Sequence, residues 1–422
     1  MRNINKISGI FARGLILLSL AICAFPVFPC LANNSFDVAK NQRVSLKPDI
    51  LHYIDSTNSL TIDDIRAMPE SAFKPFTSAA FTRINKNFWF RFTLKNSSDI
   101  EIERSLELFD ILIKSADLFY TIEGKTYQQK TGLDYPYSSL NSHNHLFNFS
   151  LLLPANSETV FHMRITSPFY LVFTPEVLSY PQVIAESTRF TTYSILLVGI
   201  NAGVLFFIVI IMFYTKEFEQ IYITFCFFQF FALLTLLHMN GHLLPLMKDN
   251  VWLQLTTYNL IVPGVAICFL FSCQQQFHSI YSFRFLKKFC FLSNIILFGI
   301  LIANLFFPPE NITPLIVYLC FCIMVILCIY SAFLIFSEKG SIPIIAFGNL
   351  AFFIATITSN FGSFGWLESP WLARHSFEFG LSLIGISMAI STSDKIIFYK
   401  REAHKLDFKH QKEKAESEAK SE

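Results

Sequence analysis

Residues 191–214 read TTYSILLVGINAGVLFFIVIIMFY, an apolar stretch without a single charged side chain. About 20 consecutive apolar residues are long enough to cross a bilayer as a helix. Six more stretches of this kind follow, and together they predict seven helices at about 191–214, 220–238, 251–271, 289–307, 312–336, 341–361 and 375–393. The second half of the chain is therefore predicted to be an all-α bundle of seven transmembrane helices.

The overall composition supports this class of protein. Of the 422 residues, 53% are hydrophobic and 15% are charged, whereas soluble domains carry about 25% charged residues. The net charge of +2 gives no general attraction to nucleic acid, so no nucleic-acid partner is expected. The length accommodates two units, a soluble domain and a membrane bundle, with the lipid bilayer as one partner.

Residues 1–32 have the features of a secretory signal peptide. Arg2, Lys6 and Arg13 supply the positive charge, and residues 15–28 form a short apolar run. Small residues near position 32 predict cleavage before Asn33. An uncleaved first helix is the alternative, which the polar segment that follows makes less favourable.

Residues 33–186 show the short runs and turn signals of β-strands. In the clearest run, Phe88, Phe90, Phe92 and Leu94 alternate with residues of a second face. The segment 33–190 has no cysteine, so its apolar core rather than a disulfide must hold it together. These features predict an exported, all-β, jelly-roll-like sandwich.

Four residues of the predicted sandwich are candidates for ligand binding. Trp89 and Arg91 lie opposite the Phe row, where an exposed indole could stack on a sugar and a guanidinium could bind a carboxylate. The alternative is that both faces of this strand are covered. Tyr135 and Tyr137 flank Pro136 in a predicted loop and form the second pair. No catalytic pair, cofactor motif or metal cluster is recognisable, so no enzyme activity, cofactor or metal is predicted.

The distribution of Lys and Arg predicts the orientation in the membrane. The loops that follow the first, third and fifth helices, together with the tail, are richer in basic residues than the remaining loops. Cytoplasmic loops usually carry this excess. With an exported N-terminal domain, seven helices also place the C-terminus in the cytoplasm.

Glu378 is an ionisable residue about one turn into the last predicted helix. A carboxylate at this depth is costly and usually has a partner. Pairing with Arg374 is the favoured interpretation, and a proton or ion pathway is the other. The scattered amides are interpreted as hydrogen bonds between helices, and they are Asn201, Gln229, Asn294, Asn304, Asn349 and Asn360.

Several segments of the chain, taken in order, resemble the bacterial seven-transmembrane receptors with diverse intracellular signalling modules. The exported half contributes Leu51-His52-Tyr53-Ile54-Asp55, Leu60-Thr61-Ile62-Asp63-Asp64-Ile65, Phe88-Trp89-Phe90-Arg91-Phe92 and Gly132 with Tyr135-Pro136. The last helix contributes Glu378 and the exit Ser391-Thr392-Ser393-Asp394-Lys395-Ile396. Ser138 and Ser139 stand where the family has a basic residue.

The chain is thus predicted to have four segments: a signal peptide (1–32), an exported sandwich (33–186), a seven-helix bundle (187–394) and a charged helical tail (395–422). The resemblance, which covers about residues 45–406, implies that the sandwich is a type-2 extracellular sensor domain. It further implies a multi-pass protein of the bacterial inner membrane with a periplasmic or extracellular sensor. The sensor would bind a carbohydrate or another small ligand, and Glu378 and Asp394 would transmit the signal. The tail is too short for a catalytic domain, so the output is expected from a separate kinase or cyclase.

Two other functional classes remain open. A transporter or channel component with an exported binding domain would need charge inside the bundle, and an integral-membrane enzyme would need a metal or acid–base site at membrane depth. A truncated receptor remnant is a third alternative. The helical spacing of Ile396, Tyr399, Ala403 and Leu406 is compatible with a short coiled coil and so with a homodimer.

Overall fold

The computed structural model describes thirteen continuous ranges and part of the tail. The ranges are 36–46, 50–76, 80–81, 86–108, 113–139, 147–167, 171–172, 174–215, 220–247, 249–276, 284–337, 342–363 and 375–394, followed by residues 405, 406, 408, 410 and 411. The predicted signal peptide, Arg374 and most of the predicted tail lie outside the described residues.

The first half of the chain is a β-sandwich of two main antiparallel sheets. One sheet has the order β1 (Arg43–Ser45), β12 (Glu176–Leu178), β6 (Ile102–Glu107) and β9 (Asn148–Leu153). The other has the order β3 (Lys74–Pro75), β2 (Leu51–Asp55), β5 (Asn87–Asn96), β10 (Ser157–Thr166), β7 (Ser115–Ile122) and β8 (Lys125–Thr131). A short pair, β4 (Ala80–Phe81) and β11 (Leu171–Val172), completes the described strands. The predicted all-β class is confirmed.

The alternation in β5 places one set of side chains between the two sheets. Phe88, Phe90, Phe92 and Leu94 are buried there together with apolar residues of β6, β9 and β10. Successive side chains of a strand point to opposite faces, so the Phe row must face inward if the sheet is to bury it. The remaining β5 side chains, including Trp89 and Arg91, lie on the outer face.

A short helical segment covers part of that outer face. Thr61 caps the start of helix α1 (Ile62–Ala67). Its side-chain oxygen accepts a hydrogen bond from the Asp64 amide, while the Asp64 carboxylate accepts from the Thr61 amide. This reciprocal arrangement is a capping box, which satisfies two amides at the start of a helix. A 3-10 turn, Glu70–Ala72, follows. Ile65 of α1 and Phe73 after the turn pack onto the sheet.

The second half of the chain is a helical bundle. Its described helices are α2 (Tyr180–Thr215), α3 (Gln220–Met239), α4 (Leu244–Met247), α5 (Val251–Gln276), α6 (Arg284–Ala303), α7 (Pro309–Ser337), α8 (Ile342–Ser363) and α9 (375–394). Helix α2 contains the predicted membrane stretch of about 191–214 and begins earlier, at Tyr180. Pro181 in its first turn is a common start signal, and the predicted domain boundary at 186 and 187 falls within α2.

Among the described residues, five helices are long and apolar enough to cross a membrane, and they are Tyr180–Phe213, Tyr222–Met239, Val251–Gln275, Phe285–Ala303 and Asn311–Ala332. Pro343–Ser359 is a shorter apolar helix. Helix α9 differs because it carries polar side chains, among them Glu378, Ser382, Ser387 and Thr392, and nearly all of its length is buried. A helix that is buried on all sides lies in the interior of its bundle.

Close backbone approach explains how α9 fits among its neighbours. A Cβ added at Gly380 would lie 2.6 Å from the Ala355 Cβ of α8, and one added at Gly385 would lie 2.7 Å from Oε1 of Gln229 on α3. Gly348 of α8 faces Ser387 of α9 at a similar distance. Small residues allow membrane helices to pack at short separation, so these glycines place α9 at the centre of the bundle.

Candidate functional site

Trp89 is buried on the outer face of the six-stranded sheet. Its exposed fraction is 0%, and it packs with Ile65, Phe73 and Phe119 beneath α1 and the 3-10 turn. The indole Nε1 has no hydrogen-bond partner among the described residues. Of the two interpretations given for this strand, the structure has the covered face, because the segment after β2 folds back over the indole; a role of Trp89 in ligand binding stays a prediction.

Arg91 lies beside Trp89 on the same face. It is half-buried, and His162 of β10 is its cross-strand partner. Arg66 of α1 reaches the same region and donates from Nη2 to the Thr121 Oγ1 of β7 at 3.1 Å. Burial, followed by the charges of Arg91 and Arg66, lowers the pKa of His162 to about 4. His162 is therefore neutral at pH 7, and the charges of both guanidinium groups act on it.

Tyr135 belongs to a partly buried polar network centred on the buried Asp117. The Tyr135 hydroxyl donates to Asp117 Oδ1 at 3.0 Å, and Arg164 donates from Nε and Nη2 to Oδ2 at 3.1 and 2.5 Å. The Arg164 guanidinium also lies 5.7 Å from the centre of the Trp89 ring, which is cation–π geometry. Burial and the Asp117 carboxylate raise the pKa of Tyr135, so the phenol keeps its proton and acts as a donor.

Tyr137 lies at the junction between the sandwich and the bundle. It opens the 3-10 turn Tyr137–Ser139 and packs against the sandwich core, which also includes Leu244 of α4. In the next position, the Ser138 amide and hydroxyl both donate to Asp249 Oδ1, at 3.1 and 2.7 Å. Tyr137 and Tyr135 are thus held in different surroundings, and Tyr137 is adjacent to a contact between the two halves.

A second junction contact involves α2. Arg43 of β1 forms ion pairs with Glu176 of β12 at 2.8 Å and with Glu186 of α2 at 2.7 Å. The guanidinium is about two-fifths exposed, so the contribution to stability is small. Its geometric effect is to attach the edge of the four-stranded sheet to the first turns of α2.

Glu378 is at the centre of a buried polar cluster at the sandwich-side end of the bundle. Its Oε1 accepts from the Asn240 amide at 2.8 Å, and its Oε2 pairs with His375 Nδ1 at 2.8 Å. The His375 ring lies against Phe190 and Tyr193 of α2. The predicted partner Arg374 lies outside the described residues, and His375 and Asn240 are the partners that the described residues provide.

Polar contacts continue from this cluster along α9. Ser382 donates to the Glu378 carbonyl, Asn201 of α2 donates to the Ser382 hydroxyl at 2.7 Å, and Gln229 of α3 donates to Asn201 Oδ1 at 2.6 Å. These contacts support the interpretation of Asn201 and Gln229 as hydrogen bonds between helices. They join α2, α3 and α9 in the interior of the bundle.

Comparison with known protein families gives two consecutive matches. The model described as 7TMR-DISM extracellular 2 matches residues 47–179, which span nearly all of the sandwich. The model described as 7TM diverse intracellular signalling matches residues 190–395, which span the bundle. The chain belongs to the 7TMR-DISM family. No curated protein matches the chain.

The family assignment identifies the sandwich of this 7TMR-DISM receptor as an extracellular sensor domain, and α9 lies at the end of the segment matched by the 7TM model. Asp394 is half-buried in the last described turn of α9. Its predicted role in signal transmission, like that of Glu378, stays a prediction.

Sequence reasoning missed several residues of these 7TMR-DISM sites. Asp117, Arg164 and His162 each follow the alternation of their own strands, but only the register between β7, β10 and β5 brings them together. Asn240 and Asp249 lie in a connection between helices, where periodicity gives no signal. The sequence Met239-Asn240-Gly241 between His238 and His242 did indicate that a helix ends in a turn at this position.

Proposed function

We propose that this 7TMR-DISM receptor binds a small extracytoplasmic ligand, such as a carbohydrate, on its sandwich and transmits a conformational change through the bundle. The output is a separate cytoplasmic signalling protein, a kinase or a cyclase. The receptor lies in the bacterial inner membrane, with the sandwich on the periplasmic or extracellular side and the C-terminus in the cytoplasm. The bundle itself performs no chemistry.

One observation carries this proposal. The connector, which we define as residues 240–250 without residue 248, contacts both the sandwich and the central helix. Asn240 at its start bonds Glu378 of α9, and Asp249 near its end bonds Ser138 of the sandwich. A movement of the 3-10 turn that holds Ser138 therefore acts directly on the segment that holds Glu378.

The packing of the connector supports this coupling. Leu244 is buried in the sandwich core, and the His242 ring is 2.7 Å from the Ser194 hydroxyl of α2. The segment thus touches the sandwich, α2 and α9 within a few residues of chain. Allosteric transmission needs an element that both sites can bias, and the connector meets that requirement by its contacts.

The candidate ligand residues lie close to this path. Trp89 and Arg91 share the outer face of the sheet, and Tyr135 is joined to Trp89 through Asp117 and Arg164. Tyr137 is adjacent to Ser138. A ligand that repositions any of these groups would alter the 3-10 turn, and Glu378 and Asp394 would then carry the change along α9 to the exit of the helix.

A crosslinking pull-down from native membranes tests the proposal. The full chain carries an affinity tag after Glu422, and crosslinked proteins are identified by mass spectrometry. The proposal expects enrichment of a histidine kinase or a cyclic-nucleotide enzyme, and loss of that enrichment when the residues beyond Lys395 are deleted. The Glu378→Ala variant should alter the yield of the crosslink without removing the receptor from the membrane.

A different outcome would overturn the proposal. Good recovery of the receptor with no signalling protein, combined with substrate uptake by the purified protein in liposomes that Glu378→Gln abolishes, would establish transport. Transport would require an exchangeable partner at Glu378, whereas both of its carboxylate oxygens have partners within the bundle.

A further inference from the structure

Three basic side chains meet on the outer face of the six-stranded sheet. Arg91 of β5 and His162 of β10 are directly opposite each other in the antiparallel register. Phe119 of β7 is opposite His162 on its other side. Arg66 extends from α1 to Thr121, two residues beyond Phe119 on β7. The Arg91–His162 register and the bond from Arg66 to Thr121 bring the three groups to the same region of this face, and we call them the basic cluster.

The basic cluster differs from the other arginine sites of the sandwich. Arg43 has two carboxylate partners, and Arg164 has Asp117. Within the residues that the structure describes, neither Arg66 nor Arg91 forms an ion pair with a carboxylate. The carboxylate of Asp64, on the same helix as Arg66, is already bonded to the Thr61 amide and hydroxyl.

An unneutralised cluster of this kind has a physical cost. Arg91 is half-buried, and a half-buried guanidinium gains less from water than an exposed one such as that of Arg66. Burial has removed one of the three charges, because His162 is only 8% exposed and is neutral at pH 7. The two guanidinium charges remain, at a place where no described side chain neutralises them.

The available donors define the complementary ligand. Arg91 presents a planar fork that matches a carboxylate or a phosphate with two parallel hydrogen bonds. Arg66 supplies a second guanidinium, and a neutral imidazole supplies one N–H donor. A neutral sugar would leave both positive charges unpaired, whereas an oxyanion would neutralise them.

We propose that the basic cluster of Arg66, Arg91 and His162 is a binding site for a small soluble oxyanion, a carboxylate or a phosphate. This inference rests on the proposed function in one respect: the oxyanion, either free or as a group of a larger metabolite, is the ligand that the receptor senses. Binding itself does not depend on any cytoplasmic output. The site sits beside Trp89, so the covering α1 segment would form part of its wall.

Thermal unfolding of the full-length protein in detergent tests the inference. The probes are citrate, inorganic phosphate and glucose, each compared with sodium chloride at equal ionic strength. Citrate or phosphate is expected to raise the midpoint in a saturable manner, and the two probes distinguish a carboxylate site from a phosphate site. Arg91→Gln and Arg66→Gln should each weaken the apparent affinity by about tenfold or more.

Matched variants keep the test specific. Lys95→Gln removes the same charge from the same strand and the same face, at an exposed position outside the cluster, and should leave the affinity unchanged. Arg91→Lys keeps the charge and loses the fork, so it should bind more weakly than the native protein while unfolding at the same midpoint without anion. This second variant separates a binding defect from a folding defect.

The remaining results would overturn the inference. They are the absence of stabilisation by both anions, stabilisation by glucose alone, or an equal loss of affinity in Lys95→Gln. Saturable anion binding without capture of a cytoplasmic partner would leave this inference standing and refute the proposed function. Capture of a cytoplasmic partner without anion binding would refute this inference and leave the proposed function standing.

Discussion

The side-chain amide of Asn240 donates a hydrogen bond of 2.8 Å to Oε1 of Glu378, across 138 positions of the chain. Asn240 follows the last residue of α3, and Glu378 lies in the first turns of α9. Both side chains are buried, so the bond is made where water does not compete for either group. It fixes the start of the connector to the central helix of the bundle.

Removal of the Glu378 carboxylate should destabilise the bundle. Glu378→Ala takes the acceptor from Asn240 and from His375 together, and a buried donor that loses its partner costs about 1–3 kcal/mol. Glu378→Gln keeps one carbonyl oxygen and should cost less than half as much. Unfolding of the purified protein in detergent measures both variants. Ser393→Ala, which removes a hydroxyl from the same helix, is the control and should change little; equal effects in all three variants would contradict the assignment.

Substitution of Gly380 by a larger residue should push helices α8 and α9 apart and destabilise the bundle. The new methyl group of Gly380→Ala would meet the Ala355 Cβ at 2.6 Å, and neither group can rotate away. Overpacking of this type costs about 1–3 kcal/mol, so we expect a lower unfolding midpoint. Gly203→Ala is the matched control, since nothing lies within 4 Å of its added Cβ and Ala is favoured over Gly in a helix by about 1 kcal/mol. A midpoint that rises in both variants would refute the close approach of α8 and α9.

Loss of the Asp249 carboxylate should loosen the junction with little effect on stability. The Ser138 amide and hydroxyl both donate to this exposed group, and exposed contacts contribute about 1 kcal/mol or less. We expect faster hydrogen exchange of the Ser138 amide in Asp249→Ala. The Ser139 amide donates instead to the Pro136 carbonyl and should exchange as in the native protein. Unchanged exchange at Ser138 would mean that Asp249 does not hold the turn.

The stability of the sandwich should fall as the pH is lowered towards 4. Burial and the charges of Arg91 and Arg66 lower the pKa of His162 from 6.5 to about 4. Between these values the unfolded chain binds a proton that the folded chain does not, so the free energy of unfolding decreases as the pH falls and is constant above this window. The loss is at most about 3 kcal/mol.

The contribution of His162 can be isolated by difference. Urea unfolding of the full-length protein between pH 4 and pH 7 should show a shallower pH dependence in His162→Gln than in the native protein. His52, whose pKa burial also lowers, provides the comparison, because His52→Gln should leave the His162 contribution in place. Identical pH dependence in the native protein and His162→Gln would contradict the neutral, buried state of this imidazole.

Local patterns predicted the elements of the fold but not how they cover one another. The alternation from Phe88 to Leu94 identifies β5 and its two faces, and the run at 191–214 identifies a membrane helix. Neither pattern indicates that α1 folds over Trp89. The beginning of α2 at Tyr180 was missed because its first turns contain polar residues, which an apolar-run criterion excludes.

The candidate sites depend on contacts between distant segments. Asp117 and Arg164 are 47 positions apart and meet only through the pairing of β7 with β10. The cost of a carboxylate in the membrane made Glu378 conspicuous in the sequence, and the same argument demanded a partner. That argument could not identify Asn240 as the partner, because this amide reaches α9 through a turn whose position depends on the packing of the connector against the sandwich.

The length of α2 has a mechanical consequence. A helix of 36 residues is about 54 Å long, which exceeds the hydrocarbon thickness of a bilayer, about 30 Å. Its described backbone is helical throughout, from the turn in which Glu186 pairs with Arg43 to the turn that contains Met212. The helix is not interrupted between these turns. We therefore expect a tilt or displacement of the sheet edge to be carried along this continuous helix towards its other end.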